Sequence, residues 1–208
     1  MSKPATRELL VQSKIYLPAP RRDSSVSIEK ALLSRKSVRE FANEPLELWE
    51  ISQLVWAAQG MTVPDQRTAP SAGALYPLDL YVASGNVIGL PPGIYNYDLR
   101  NHELSLSVQG DKRRELSEAA LSQTSIIQAA AVFAVSAVYK KTTSKYRARG
   151  IRYVHMEAGH AAQNLLLQAS ALGLGSVLVG AFSDERVRRV LMLNENEAPL
   201  YLIPVGKP

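Results

Sequence analysis

The 208-residue chain has no cysteine, which excludes a disulfide framework, a zinc–thiolate centre, a thiol nucleophile and a cysteine-held cluster. It has only three histidines, so an all-histidine metal site would consume every one. Long hydrophobic runs are also missing. The longest apolar stretch, Ile126 to Tyr139, is broken by Gln128 and Ser136 and falls short of the ~20 residues a membrane helix needs. Met1 to Arg22 is mixed and polar, unlike a signal peptide, so a cytoplasmic protein is expected. Acidic charge is in deficit, with 24 Lys and Arg against 19 Asp and Glu for a net +5. That favours anionic small molecules or nucleic acid as partners without choosing between them. What is present, 46% apolar and 21% charged residues, is the make-up of a folded globular chain and excludes disorder over most of it.

Residues 1–26, with Pro18 and Pro20, read as an arm laid over the surface, and 27–208 as one domain. Ser27 is placed to cap a helix running to Ser34. Leu48, Ile51, Leu54, Val55 and Ala58 recur at helical steps from Glu47 to Gln59, and Gly60 ends that helix. A loop over 60–77 leads to a strand at 78–83. Alternation at 93–97 and 103–108, around a polar turn, predicts a hairpin. A helix is expected over 111–121 with Arg113 and Arg114 outside, a strand buried on both faces over 130–138, and a long buried helix over 151–172. A second buried strand over 176–181, a Ser183-capped helix to Leu193 and a closing strand over 200–205 complete the chain. This mixture around a hairpin predicts an α+β class.

Four constellations carry candidate chemistry. In Ser34 to Phe41, an extended chain puts Arg35, Ser37 and Arg39 on one side, and two guanidiniums with a hydroxyl suit a phosphate; a solvated basic turn is the alternative. In Ala69 to Pro77, small residues between prolines let a ligand approach a stiffened backbone; a tight structural connection is the alternative. On the long helix, Glu157, His160, Asn164 and Gln168 form a polar stripe that needs partners, whether backbone, a second subunit or a cofactor. His155 and His160 are five apart, unlike a zinc helix. Gly173 to Phe182 carries glycines with the wrong spacing and order for a dinucleotide fingerprint, but Gly180 could admit a flat ring. Lys207, after the closing strand, is solvated unless something anionic waits there.

Taken in order, Ser34 to Phe41, Pro70 to Pro77, Leu121-Ser122-Gln123, Lys145-Tyr146 through Arg152-Tyr153, Glu157-Ala158-Gly159-His160 with Gln163-Asn164, Gly173-Leu174-Gly175, Val179 to Phe182 and Val205 to Pro208 resemble the nitroreductase family of flavoproteins. The likeness is to its SagB-like branch of thiazoline/oxazoline-type dehydrogenases, from about residue 28 to the end. The resemblance implies a nitroreductase-like fold with a central, mainly antiparallel sheet surrounded by helices. It also implies an intertwined homodimer holding two FMN at the interface.

By that resemblance, Arg35, Ser37 and Arg39 hold the FMN phosphate and ribityl chain, and Lys207 adds a phosphate contact. Pro70, Ser71, Ala72, Gly73 and Leu75 come from the other subunit to line the isoalloxazine. Gln123 bonds the ribityl or pyrimidine side, and Val179, Gly180 and Ala181 cover the ring near N5. Leu75 and Val179 depart from the Asn and acidic residue common in nitroreductases, which favours the dehydrogenase branch. The implied activity is hydride transfer through flavin N5 in two half-reactions, with NADH or NADPH or an azoline-type substrate as partner. Lys145 and Tyr146 match a pair tied to proton abstraction in azoline-oxidising relatives; beginning a helix is their alternative role. No metal, nucleic-acid or membrane partner is implied. A flavin-binding protein without turnover, and less so a nucleic-acid-binding module resting on Arg147, Arg149 and Arg186 to Arg189, are the competing readings.

Overall fold

The computed structural model describes residues 14–208. Of the expected surface arm, residues 1–13 therefore lie outside the described residues. In the remainder, β1 (Lys14–Tyr16) pairs antiparallel with a later strand at the sheet edge, and Leu17 is buried. The elements that follow are α1 (Ile28–Ser34), β2 (Leu46–Glu47), α2 (Leu48–Gln59), a single 3-10 turn (Ala72–Ala74), β3 (Leu78–Ser84), β4 (Val87–Ile88), β5 (Gly93–Asp98) and β6 (Glu103–Gln109). Then come α3 (Arg113–Ala119), α4 (Thr124–Gln128), β7 (Ala131–Ala137), α5 (Tyr139–Tyr146), α6 (Arg149–Ala171), β8 (Gly175–Ser176), α7 (Asp184–Leu191) and β9 (Ala198–Gly206).

Seven strands form one antiparallel sheet in the order β1-β6-β5-β3-β7-β9-β8, and β2 pairs parallel with β4. Side chains alternate across the central strands, so each strand feeds two cores. Leu78, Leu80 and Val82 of β3 and Phe133 and Val135 of β7 face the layer that holds α2 and α6. Tyr81 and Ala83, with Val132 and Ala134, face the opposite layer of α3, α4 and α7. This is why β7 is apolar throughout: it is covered on both faces. Ala158, Ala161, Ala162, Leu165 and Ala169 of α6 are buried against the sheet, and the small residues let the helix come close.

Local signals operate as the residues dictate. Ser27 accepts from the Lys30 amide at 3.2 Å and Ser183 from the Arg186 amide at 3.4 Å, capping α1 and α7. Three expectations fail. The long helix is not buried all round: Arg152, His155, Met156, His160 and Gln163 are exposed, because a single chain places no layer over that face. Arg113 is not outside; its guanidinium folds onto Asp111 and donates to the Ala129 carbonyl. The strand over 176–181 shrinks to β8 and one bridge at Val179. Among the described residues no helix is long and apolar enough to cross a membrane, and no cluster of His, Asp and Glu could hold a metal.

Candidate active site

After α1 the chain runs alongside β8. Ser34 Oγ lies 3.0 Å from Ser170 Oγ of α6, Ser37 bridges to Ser176, and the Val38 amide donates to the Ser176 carbonyl at 2.9 Å. Val38 packs over Gly175 so closely that a Cβ there would stand 2.8 Å from Val38 Cγ1. With Val38 turned inward, alternation leaves Ser37 and Arg39 exposed and Arg35 half-exposed. Among the described residues neither guanidinium has a carboxylate partner. Two cations without carboxylate partners and a hydroxyl therefore lie on one short exposed segment.

The segment beyond β8 is held to β9 by reciprocal bonds of Val179 with Leu202, 2.8 and 2.9 Å. Val179 is buried, whereas Gly180 and Ala181 are exposed. The nearest atom to a Cβ built on Gly180 would be Tyr201 Cε1 at 3.9 Å, so the backbone there is bare on one side. Gln123 joins this end: its Nε2 donates to the Ala181 carbonyl at 3.3 Å. It is aimed there by two consecutive left-handed residues, Leu121 and Ser122, both at φ 58°. That strained turn is held by Ser117 Oγ, which donates to the Gln123 carbonyl at 2.9 Å. Ser176 to Ala181 spans about 16 Å at ~3.3 Å per extended residue. This half-site thus has free anion donors at one end and uncovered backbone at the other, which fits a flat ring with an anionic tail.

Lys207 is not merely solvated. Its ammonium sits 2.5 Å from Glu50 Oε1. Glu50 is buried and also closes the capping box of α2, accepting the Glu47 amide at 2.8 Å. The Ala42 amide donates to the Lys207 carbonyl, which keeps this chain end beside the Arg35–Arg39 segment.

The second half-site is the loop between α2 and β3. Ala69 and Pro77 are buried and pin its ends; Pro70 and Gly73 are exposed. Gly73, Ala74 and Tyr76 all have positive φ, at 64°, 53° and 46°. The bend is held by Ser71 Oγ, which accepts from the Tyr76 amide at 2.9 Å. A Cβ on Gly73 would stand 2.7 Å from Tyr146 Oη and 3.0 Å from Lys145 Nζ. Both side chains of the predicted pair therefore press against this loop, and Leu75 lies on its outer side. Lys145 and Tyr146 end α5, a helix sequence reasoning missed, rather than beginning one. Tyr146 packs edge-on against Tyr153 with centroids 5.1 Å apart.

Beneath the loop lies Glu157 of α6, buried, with Oε1 lacking any partner. Burial pushes its pKa up to about 7, while a hydrogen bond from Ser71 and the charges of Arg67 and Lys141 pull it down. The rest of the predicted polar stripe disperses. Asn164 donates to the Thr68 carbonyl at 3.2 Å, Gln168 accepts from Gln53 at 3.2 Å, and His160 is exposed. Sequence reasoning missed Arg67, a lone cation in a loop. It also missed Glu50, whose position three residues after Glu47 was the available signal.

The anion end of the first half-site and the loop of the second stand at opposite ends of one helix. Glu157 supports the loop, and Ser170 contacts Ser34; at ~1.5 Å per residue these α6 positions are roughly 20 Å apart.

With this geometry in hand, comparison with known proteins gives a consistent result. The model of the family described as "Nitroreductase family" matches residues 32–207. A protein of Methanocaldococcus jannaschii classed as a nitroreductase is 45% identical over 185 residues, which cover 88% of this chain and 91% of that one. The trifolitoxin operon protein TfxC of Rhizobium leguminosarum bv. trifolii is 27% identical over 84% of this chain but only 54% of its own length, so this chain spans about half of it. Among solved structures, a nitroreductase-class protein of Ralstonia eutropha superposes with a TM-score of 0.82 at 31% identity, covering 93% of this chain and 89% of that one. The NADPH:FMN oxidoreductase of Vibrio harveyi, solved with NAD+, shares the fold at a TM-score of 0.63 and 21% identity, covering 87% of this chain and 68% of that one.

Proposed function

Because this chain belongs to the nitroreductase family, we propose that it is an FMN-dependent oxidoreductase that works as a homodimer with two flavins at the subunit interface. The FMN supplies a hydride acceptor and donor at N5, used in two half-reactions with successive substrates at one site.

The observation that carries this reading is the separation of the half-sites. The arginine pair sits at the Ser170 end of α6 and the chain's own loop at the Glu157 end, so the loop that covers a ring bound by those arginines is taken from a second copy. Two copies packed on the exposed face of α6 bring the loop of each onto the open track of the other. Arg35 and Arg39 then bind the phosphate as charge-assisted forks, and Ser37 donates to the phosphate or ribityl chain. Lys207 is tethered by one of its three donors, and the others serve the same anion. Gln123 holds the ribityl or pyrimidine side, and Val179, Gly180 and Ala181 back the ring near N5. Pro70, Ser71, Ala72, Gly73 and Leu75 of the second copy line the other face.

Lys145 and Tyr146 sit behind that loop and take or hold the proton that must leave when a hydride departs from the neighbouring atom. NADH or NADPH, or an azoline-type substrate, is the reductant. The likeness to the trifolitoxin operon protein supports the azoline branch.

The test is the visible spectrum of the purified protein, before and after anaerobic addition of each nicotinamide, paired with light scattering. A yellow dimer that bleaches and recovers in air is expected. Colourless protein that takes up no added FMN, or a flavin-loaded monomer, overturns the reading.

A further inference from the structure

On the outer side of the flavin-facing loop, sharing Ala74 and Leu75 with it, lies a cleft of about 700 Å³. Its apolar wall is Leu75, Tyr76 and Leu99, and its cations are Arg67, Arg100 and Lys141. Arg67 is the central one. Its guanidinium stacks 4.3 Å over the Tyr76 ring and donates to Gln59 Oε1 at 2.8 Å, so it is held in place rather than waving in solvent.

Half-buried charges normally have a counter-ion. Among the described residues half-buried Arg67 has no ion-pair partner, although Glu157 and Asp79 lie near enough to act on its charge, and burial lowers its pKa; Arg100 is exposed and likewise has no ion-pair partner. Lys141 is loosely engaged with Asp79 at 3.5 Å. The acid lining the cleft, Asp65, is exposed and pairs with none of these cations. Two guanidiniums therefore line one cleft with no carboxylate ion-paired to either among the described residues, beside an apolar wall.

We infer that this cleft binds the anionic end of a substrate, a carboxylate or a phosphate held between Arg67 and Arg100, with the apolar body of the same molecule lying along Leu75, Tyr76 and Leu99. That the ligand is a substrate rests on the flavin reading above, because only then does the shared loop place its body beside the reactive ring. Anion binding itself can be scored without flavin chemistry.

The experiment is calorimetric titration of the protein as purified with benzoate, phenyl phosphate and the neutral isostere benzamide. Benzoate or phenyl phosphate is expected to bind at least about tenfold more tightly than benzamide, and the tighter of the two identifies the group. Arg100→Ala, an exposed position, removes the difference while the circular dichroism and visible spectrum stay unchanged; Arg67→Gln does the same. Anions that bind no better than benzamide, or a preference that survives Arg100→Ala, overturn the inference. A protein that takes up no added FMN yet still discriminates overturns the flavin reading and leaves the cleft standing; a flavin-loaded one that does not discriminate does the reverse.

Discussion

The Lys207 ammonium and the buried Glu50 carboxylate meet at 2.5 Å, tying the tail of β9 to the first turn of α2. The two ends of this pair are unequal: the Lys207 side chain is 29% exposed and that of Glu50 is 3% exposed. Lys207→Met therefore strands a charge in the interior, whereas Glu50→Gln leaves a lysine that water can reach. Expected losses are about 2–4 kcal/mol for Lys207→Met and about 1 kcal/mol for Glu50→Gln. Urea midpoints for the two variants check this, and equal losses would contradict the asymmetry.

Arg35→Ala with Arg39→Ala removes the two free guanidiniums from the first half-site. Charge-assisted bonds contribute about 1.5–3 kcal/mol each, so the double variant is expected to bind FMN at least ~100-fold more weakly. Folding is spared because Arg39 is exposed and neither guanidinium has a carboxylate partner among the described residues. Flavin fluorescence titration beside circular dichroism measures both. Normal flavin stoichiometry in this variant would remove the phosphate assignment.

Glu157 makes stability fall with rising pH. Its carboxyl is raised from 4.5 to about 7, burial being the largest cause. The folded protein keeps a proton that the unfolded chain releases, so the contribution is full below pH 4.5 and is lost as pH climbs through about 7. The loss is on the order of 3 kcal/mol. His102, whose pKa is lowered by burial, acts with the opposite sign as pH falls below 6.5. The comparison is therefore with Glu157→Gln, which should gain on the wild type by about that amount between pH 5 and pH 8. A pH-independent difference between the two proteins would show that the carboxyl is not raised.

Gly73→Ala and Tyr146→Phe probe the second half-site from two directions. Alanine at Gly73 must hold φ near 64° and push aside Tyr146 Oη and Lys145 Nζ. A stability loss of about 1–2 kcal/mol is expected, with lower turnover. Tyr146→Phe keeps the packing on Tyr153 and removes only the hydroxyl. If that hydroxyl handles a proton, kcat falls by about 10²-fold or more with flavin occupancy unchanged. Stopped-flow reduction at matched occupancy separates the two effects, and unaltered turnover in Tyr146→Phe would leave the residue a packing role.

Much of this architecture was legible before any coordinates. The apolar run of β7, the alternating hairpin of β5 and β6 and the serine caps of α1 and α7 are local patterns, and local patterns survive into the fold. Arg35, Ser37 and Arg39 lie on one exposed segment, at alternate positions that the sequence alone displays. The strand expected over 176–181 failed because whether an apolar segment pairs along its length depends on its neighbour, and β9 meets it at only a few residues. The helix over 149–171 misled for a related reason: its many apolar residues suggested burial all round, yet Arg152, His155, His160 and Gln163 share a face with Met156 that nothing in one chain covers.

The residue types and their order determined, on their own, an antiparallel-rich α+β chain with a phosphate-ready arginine pair and a stiff small-residue loop. Only the tertiary structure decided that these lie at opposite ends of α6, that Lys145 and Tyr146 back Gly73, that Lys207 has an anion waiting in Glu50, and that Arg67 and Arg100 face a cleft unpaired. The division has one physical cause. Backbone periodicity and capping are set by neighbours along the chain, whereas the distance between two functional groups and the solvent left to a charge are set by packing among residues far apart in sequence.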